Sequence, residues 1–203
     1  MSKRKTRARA ALELKKAQDQ FPIGTVKIFV GLPGTGKSTE AKKYHDYIVI
    51  SRDLIRAQRQ IIVDPNRKAV GGAEEEVKVF NTEVNQLKQA VLQAKNVIID
   101  DTNLKATTRS FFLGVIKAIN PNYKVEIVFF KESSLEDCIK RRSEIPLKAI
   151  RNMAIMGDWT PKETSPWSVQ YDKVTYIGDR DYVKEGNTWS LRWKVFVDKH
   201  FKK

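Results

Sequence analysis

Gly31-Leu32-Pro33-Gly34-Thr35-Gly36-Lys37-Ser38 constrains this chain more than any other stretch. It fits G-x-x-x-x-G-K-[ST] at every fixed position, between an apolar run at Val26 to Val30 and a segment, Lys37 to Tyr44, that reads as a helix. The residue types follow from the task of holding phosphate. Glycines let the backbone wrap closely enough for successive N–H groups to point inward, and a helix starting near Lys37 adds its positive end. Lys37 supplies a mobile point charge for the β- and γ-phosphates, and the Ser38 hydroxyl is placed to ligate Mg²⁺. ATP with Mg²⁺ is the implied cofactor pair. A chain with this loop needs a strand before it and a helix after it, which selects an α/β fold.

The rest of the sequence keeps that alternation. Strands are expected at Val26 to Val30, Tyr47 to Ile50, Val97 to Ile99 and Val125 to Phe130, with helices between them at Leu54 to Ile62, from Glu74 onward, and through Phe112, Val115 and Ile119. In the long helix Val77, Phe80, Val84, Leu87 and Val91 recur at steps of three and four, one apolar stripe. Such alternation argues for a parallel sheet covered by helices on both faces. Ser133 to Arg142 reads as a helix capped by Ser133 or Ser134, and another should run from Pro146 to about Met156. Three units are expected: a flexible basic arm at 1–20, the α/β domain at 21–156, and a loop with a short β-ribbon at 157–203, where Trp189, Leu191, Trp193, Val195 and Val197 alternate with mostly polar residues.

With 203 residues and 41% hydrophobic side chains the chain suits one domain with a small appendage. Its apolar runs fall far short of the roughly 20 residues of a membrane-spanning helix. No apolar run follows the basic amino-terminal charges, so a secretory signal is not expected, and the single Cys138 rules out an internal disulfide framework. The expected location is the cytoplasm, with Cys138 a small buried hydrophobe. The formal net charge of +14 favours a polyanionic partner, nucleic acid first. In the first twenty residues seven basic side chains face two acidic ones. His45 and His200 are isolated and are given no role.

Polar residues just beyond the second and third strands should face the same crevice as the phosphate loop. Asp53 and the pair Asp100-Asp101 stand there. Phosphoryl transfer needs a carboxylate to accept the proton of the attacking hydroxyl and another to organise the metal. Asp53 suits the first role, and equally a helix cap before Leu54. Asp101 suits the second, against a plain turn pair.

Four motifs in this order resemble the kinase domain of bacteriophage-type polynucleotide 5′-hydroxyl kinases over about residues 26–156. They are Gly31 to Thr39; Ser51-Arg52-Asp53-Leu54-Ile55-Arg56; Ile99-Asp100-Asp101-Thr102-Asn103-Leu104; and Cys138-Ile139-Lys140-Arg141-Arg142 followed by Ile145-Pro146-Leu147 and Ile150-Arg151-Asn152-Met153. The resemblance implies the P-loop kinase fold and ATP-dependent phosphorylation of the 5′-hydroxyl ends of DNA or RNA. It implies Asp53 as general base, Arg56 at the acceptor phosphate, Asp101 as the strand-end aspartate beside the loop, and Arg141 as a lid arginine on the transferring phosphoryl group. The lid between Arg142 and Pro146 is shorter than in the phage enzymes, so Arg142 stands in for a second lid arginine. No D-x-D-G-[ST] pattern of a 3′-phosphatase occurs, and Gly178-Asp179-Arg180-Asp181 is not one. Two other readings remain at this point. One is a kinase with the same loop whose acceptor is a small molecule or an aminoacyl group on transfer RNA. The other is an ATP-regulated nucleic-acid-binding module using the basic arm, with Trp189 and Trp193 stacking on bases or buried in the core. Assembly state is not indicated.

Overall fold

The computed structural model describes residues 23–60, 72–161 and 170–187. The strands are β1 (Thr25–Val30), β2 (Tyr47–Ile50), β3 (Asn96–Asp100), β4 (Lys124–Phe130) and β5 (Lys173–Ile177). The helices are α1 (Lys37–Ala41), α2 (Arg52–Gln58), α3 (Ala73–Leu92), α4 (Ala106–Ile119), α5 (Leu135–Arg141) and α6 (Leu147–Met156). The strands form one parallel sheet in the order β2-β3-β1-β4-β5, with Ile28 level with Ile99 on one side and Ile127 on the other. This is the P-loop kinase fold, a parallel sheet flanked by helices. Because β1 lies between β3 and β4, the loops leaving β1 and β3 emerge side by side at the carboxyl edge, where such sheets bind ligands.

Strand alternation divides the core. Val26, Ile28, Val30, Val97, Ile99, Val125 and Ile127 face α3 and α4 and pack with Leu87, Val91, Phe112 and Ile116. Phe29, Ile98, Val128 and Phe130 face the opposite way and meet Ala41 of α1. The two-residue period of a strand thus decides which helix each strand-end residue reaches.

Several boundaries differ from the sequence expectation. Helix α1 stops at Ala41 rather than Tyr44, whose ring instead lies 5.2 Å from the Lys27 ammonium. Helix α2 ends at Gln58. The apolar stripe of α3 is turned by part of a residue step: Val77 is 55% exposed while Val79 is buried. The unexpected element is β5, which pairs with β4 from Glu126–Lys173 to Phe130–Ile177, so the sheet extends past residue 156 into the region read as an appendage. It is largely exposed along its length, so its sequence carries no strong apolar run. Asp172 fixes its start by accepting from the Val125 amide at 2.7 Å. Arg109, buried, ties the loop after α6 to the β3 exit, donating to the carbonyls of Asn103, Leu104, Asp158 and Thr160 at 2.8–3.1 Å. The basic arm and the Trp189 to Val197 ribbon lie outside the described residues. No helix among those described is long and apolar enough to cross a membrane.

Candidate active site

The chain leaves β1 into a loop shaped by two left-handed glycines, Gly34 at φ 85° and Gly36 at φ 93°. Gly34 is doubly required, because a Cβ there would sit 2.8 Å from the Cys138 carbonyl oxygen of α5. No side chain caps α1, so the amides of its first turn stay directed at the loop. Thr35 closes the loop by donating from Oγ1 to the Leu32 carbonyl at 2.9 Å, and the Gly31 amide donates to Thr102 O at 3.1 Å. Lys37 is buried, with Nζ donating to the carbonyls of Gly31 and Leu32 at 2.9 and 2.8 Å. Burial pulls its pKa down to about 8, and the charges of Asp100 and Asp101 only partly oppose this.

The two aspartates at the end of β3 diverge. Asp100 shares the face of Ile98, toward α1, and its carboxyl pairs with the Ser38 hydroxyl; burial raises its pKa, while Ser38 and Lys37 hold it back. Asp101 shares the face of Ile99, toward α3. Its oxygens accept from the Arg52 amide at 3.2 Å and from Arg52 Nε at 3.4 Å. Glu83 of α3 is fully buried behind it, 3.3 Å from Arg52 Nε, and burial with the neighbouring Asp101 raises its pKa well above the carboxylate range. Glu83 is therefore held toward its neutral acid form, and neither of its buried carboxyl oxygens has a hydrogen-bond partner. Of the two strand-end aspartates, Asp100 lies beside Ser38, while Asp101, expected to organise the metal, is engaged by Arg52.

Helix α2 begins right after β2. Its cap is Ser51, whose Oγ accepts from the Asp53 amide at 3.2 Å. Asp53 is thus not the cap: it sits in the first turn, with its side chain 44% exposed and facing the cleft. Its Oδ1 accepts from Arg56 Nη1 at 2.9 Å, the i, i+3 spacing that puts both on one helix face. The other edge of Arg56 is held by Glu76 of α3, at 2.7 Å from Nη2 and 3.3 Å from Nε.

Across the cleft α5 brings its carboxyl end to the loop. Arg141 Nη1 donates to Gly34 O at 3.1 Å and to Ser133 Oγ at 2.8 Å, and Arg142 Nε donates to Glu144 at 2.6 Å. The amino end is fixed by Ser134, whose Oγ accepts the Asp137 amide, and by Glu185, whose carboxylate accepts the Leu135 amide at 2.9 Å. Tyr182, buried against Trp159, donates to Ser133 O at 2.5 Å. Residues 180–185 therefore anchor α5, a duty with no local sequence signal.

Gly34, Lys37, Ser38, Thr39, Asp53, Arg56, Asp100, Asp101, Arg141 and Arg142 line one cleft of 780 Å³, as does Pro33. Gly31 and Thr35 shape the loop from outside that lining. Sequence reasoning passed over Arg52, Glu76 and Glu83. The one available signal was that Glu76 and Glu83 stand seven residues apart, on one face of α3. Ser38 and Asp100 offer adjacent oxygens beside the phosphate loop. This suits Mg²⁺, which keeps much of its shell as water and phosphate oxygen, and no cluster of three or more metal-ligating side chains occurs among the described residues.

Residues 26–154 match the model of a family described as an AAA domain. L-seryl-tRNA(Sec) kinase of Methanococcus maripaludis is 28% identical over 167 residues, 76% of this chain, and the chain spans 60% of that relative's length. The Pnkp1/Rnl/Hen1 complex contains a chain that superposes with a TM-score of 0.50 at 21% identity, covering 60% of this chain and 40% of that one. A protein of Chloroflexus aurantiacus superposes with a TM-score of 0.57 at 10% identity over 86% of this chain and 98% of its own. At those identities the structural likenesses speak for the fold alone.

Proposed function

Because this chain belongs to the AAA domain family and has the P-loop kinase fold, we propose that it transfers the γ-phosphate of ATP to the 5′-hydroxyl end of a DNA or RNA strand. The observation that carries this reading is the Asp53–Arg56 pair at 2.9 Å, which faces the cleft shared by the phosphate loop and Arg141. A carboxylate and a cation side by side suit an acceptor with a hydroxyl to deprotonate and a phosphate to hold.

In this mechanism the loop amides and Lys37 take the β- and γ-phosphates. A lysine whose pKa lies at about 8 is mostly protonated at pH 7, so Lys37 can exchange the carbonyls of Gly31 and Leu32 for phosphate oxygens without first gaining a proton. Ser38 with Asp100 would hold Mg²⁺, whose chemistry is to neutralise phosphate charge as a Lewis acid. Asp101 anchors Arg52 and so the start of α2. Arg56 holds the acceptor, and Asp53 accepts the hydroxyl proton as the acceptor oxygen bonds to the γ-phosphorus and the bond to the β-phosphate oxygen breaks, releasing ADP. Arg141, with Arg142 beside it, stabilises charge on the transferring group.

Transfer of labelled γ-phosphate to a 5′-hydroxyl oligonucleotide tests the reading. Lys37→Met and Asp53→Ala should each lose it by at least about a hundredfold, and full activity in either variant would refute the assignment. A second reading is supported by the likeness to the seryl-tRNA kinase: the same base and loop would serve the seryl hydroxyl of an aminoacylated transfer RNA. Matched DNA, RNA, nucleoside and seryl-tRNA acceptors separate the two.

A further inference from the structure

The base-bearing helix α2 is fastened to α3 by two arginine–carboxyl rungs, of which the Arg56–Glu76 one is ionic. Arg52 and Arg56 are four residues apart on α2, and Glu83 and Glu76 are seven apart on α3, so each pair lies along one helix face. Arg56 meets Glu76 at 2.7 Å and Arg52 meets Glu83 at 3.3 Å, with the helices running in opposite directions. The outer rung bears on acceptor chemistry. A guanidinium has five N–H bonds fixed in a plane. Glu76 takes those on Nε and Nη2, and Asp53 takes one on Nη1, which leaves one on each terminal nitrogen.

We propose that Glu76 is a positioning residue for the acceptor: by gripping the inner edge of Arg56 it fixes the plane in which Arg56 meets both the acceptor and Asp53. This rests on the function proposed above. Arg56 is buried at its stem and has a carboxylate on either side. With Glu76 in place the guanidinium is divided between two carboxylates, Glu76 on Nε and Nη2 and Asp53 on Nη1. Once Glu76 is removed, the free inner edge can rotate onto Asp53 as a bidentate pair, which ties up the base and withdraws the acceptor contact together.

The test is steady-state transfer to a 5′-hydroxyl oligonucleotide by the full chain carrying Glu76→Ala, Glu76→Gln, Arg56→Gln or Arg56→Gln with Glu76→Ala, with thermal melting alongside. Glu76→Ala should lower kcat/KM for the oligonucleotide roughly ten- to a hundredfold while KM for ATP stays within about twofold. Glu76→Gln, which keeps an acceptor oxygen for Nη2, should recover part of the loss. In the Arg56→Gln background Glu76→Ala should cost nothing further, the signature of a residue acting through its partner. Wild-type kinetics in Glu76→Ala, an equal rise in both KM values with a lowered melting point, or additive losses in the double variant would each overturn the role while leaving the kinase reading intact. A wild-type chain that phosphorylates no polynucleotide end would overturn both.

Discussion

Burial sets the behaviour of three ionisable groups around the cleft. The Cys138 thiol is pushed up to about 11 by burial, which keeps it protonated and a poor nucleophile at neutral pH, while its backbone packs against Gly34. Lys37 is shifted the other way for the same reason, its charge being retained at some cost to the fold because phosphate needs it. Glu83 gives a measurable sign. Its folded pKa lies well above the ordinary glutamate value, so the native state keeps a proton that the unfolded chain releases as the pH passes that ordinary value. The stability it contributes is whole below the ordinary value and is lost as pH rises toward the raised one. Glu83→Gln, which keeps the shape of the neutral acid without a proton to lose, should therefore raise stability at pH 8 more than at pH 5. Urea melts at the two pH values measure this, and a variant weaker than wild type at pH 8 would contradict the neutral-acid assignment.

At the level of elements, α5 is a seven-residue helix that owes its position to contacts at both ends. Helices this short are not stable alone. Ser134 follows the ordinary rule for a cap, while Glu185 and Tyr182 reach it from fifty residues and forty-nine residues away. Removing the Glu185 carboxylate leaves the Leu135 amide unpaired, a loss of about 1 kcal/mol by analogy with other caps. Glu185→Ala should loosen the end of the cleft that Arg141 occupies. Binding of a fluorescent ATP analogue should weaken several-fold while KM for the acceptor is unchanged. An unaltered affinity would mean that α5 is held by its packing on the core and not by residues 180–185. Under the proposed mechanism the two sides of the site divide the work, α5 toward the nucleotide and α2 on α3 toward the acceptor.

On the scale of the whole molecule, the strand order β2-β3-β1-β4-β5 collects the loop, α2 and α5 at one edge of the sheet, and the chain as a whole carries a net charge of +14. A polyanionic acceptor should feel that field far more than a nucleoside does. Raising salt from about 50 to about 200 mM should increase KM for a 5′-hydroxyl oligonucleotide by an order of magnitude or more, along a straight line in log–log form. KM for a nucleoside acceptor, if one is used at all, should hardly move. Equal and weak salt dependence for both would point to a small acceptor and remove the charge from the argument for nucleic acid.

Local chemistry made much of this legible in the sequence. The phosphate loop needs particular glycines and a lysine at fixed spacing, and β1 to β4 are apolar runs bounded by turns, so both are written in adjacent residues. The family resemblance points to Asp53 and Arg56, and their i, i+3 spacing on α2 brings the two side chains together. Other features depend on which elements meet. Asp100 and Asp101 are neighbours in the chain, but a strand sends them to opposite faces, and only the packed sheet puts Ser38 before one and Arg52 with Glu83 before the other. Ser51 takes the cap that Asp53 could equally have filled, because β2 ends where it does. Glu76, Glu83, Glu185 and the edge strand β5 act through contacts made across 20 to 50 residues of chain, and no spacing rule encodes a partner that folding alone brings near.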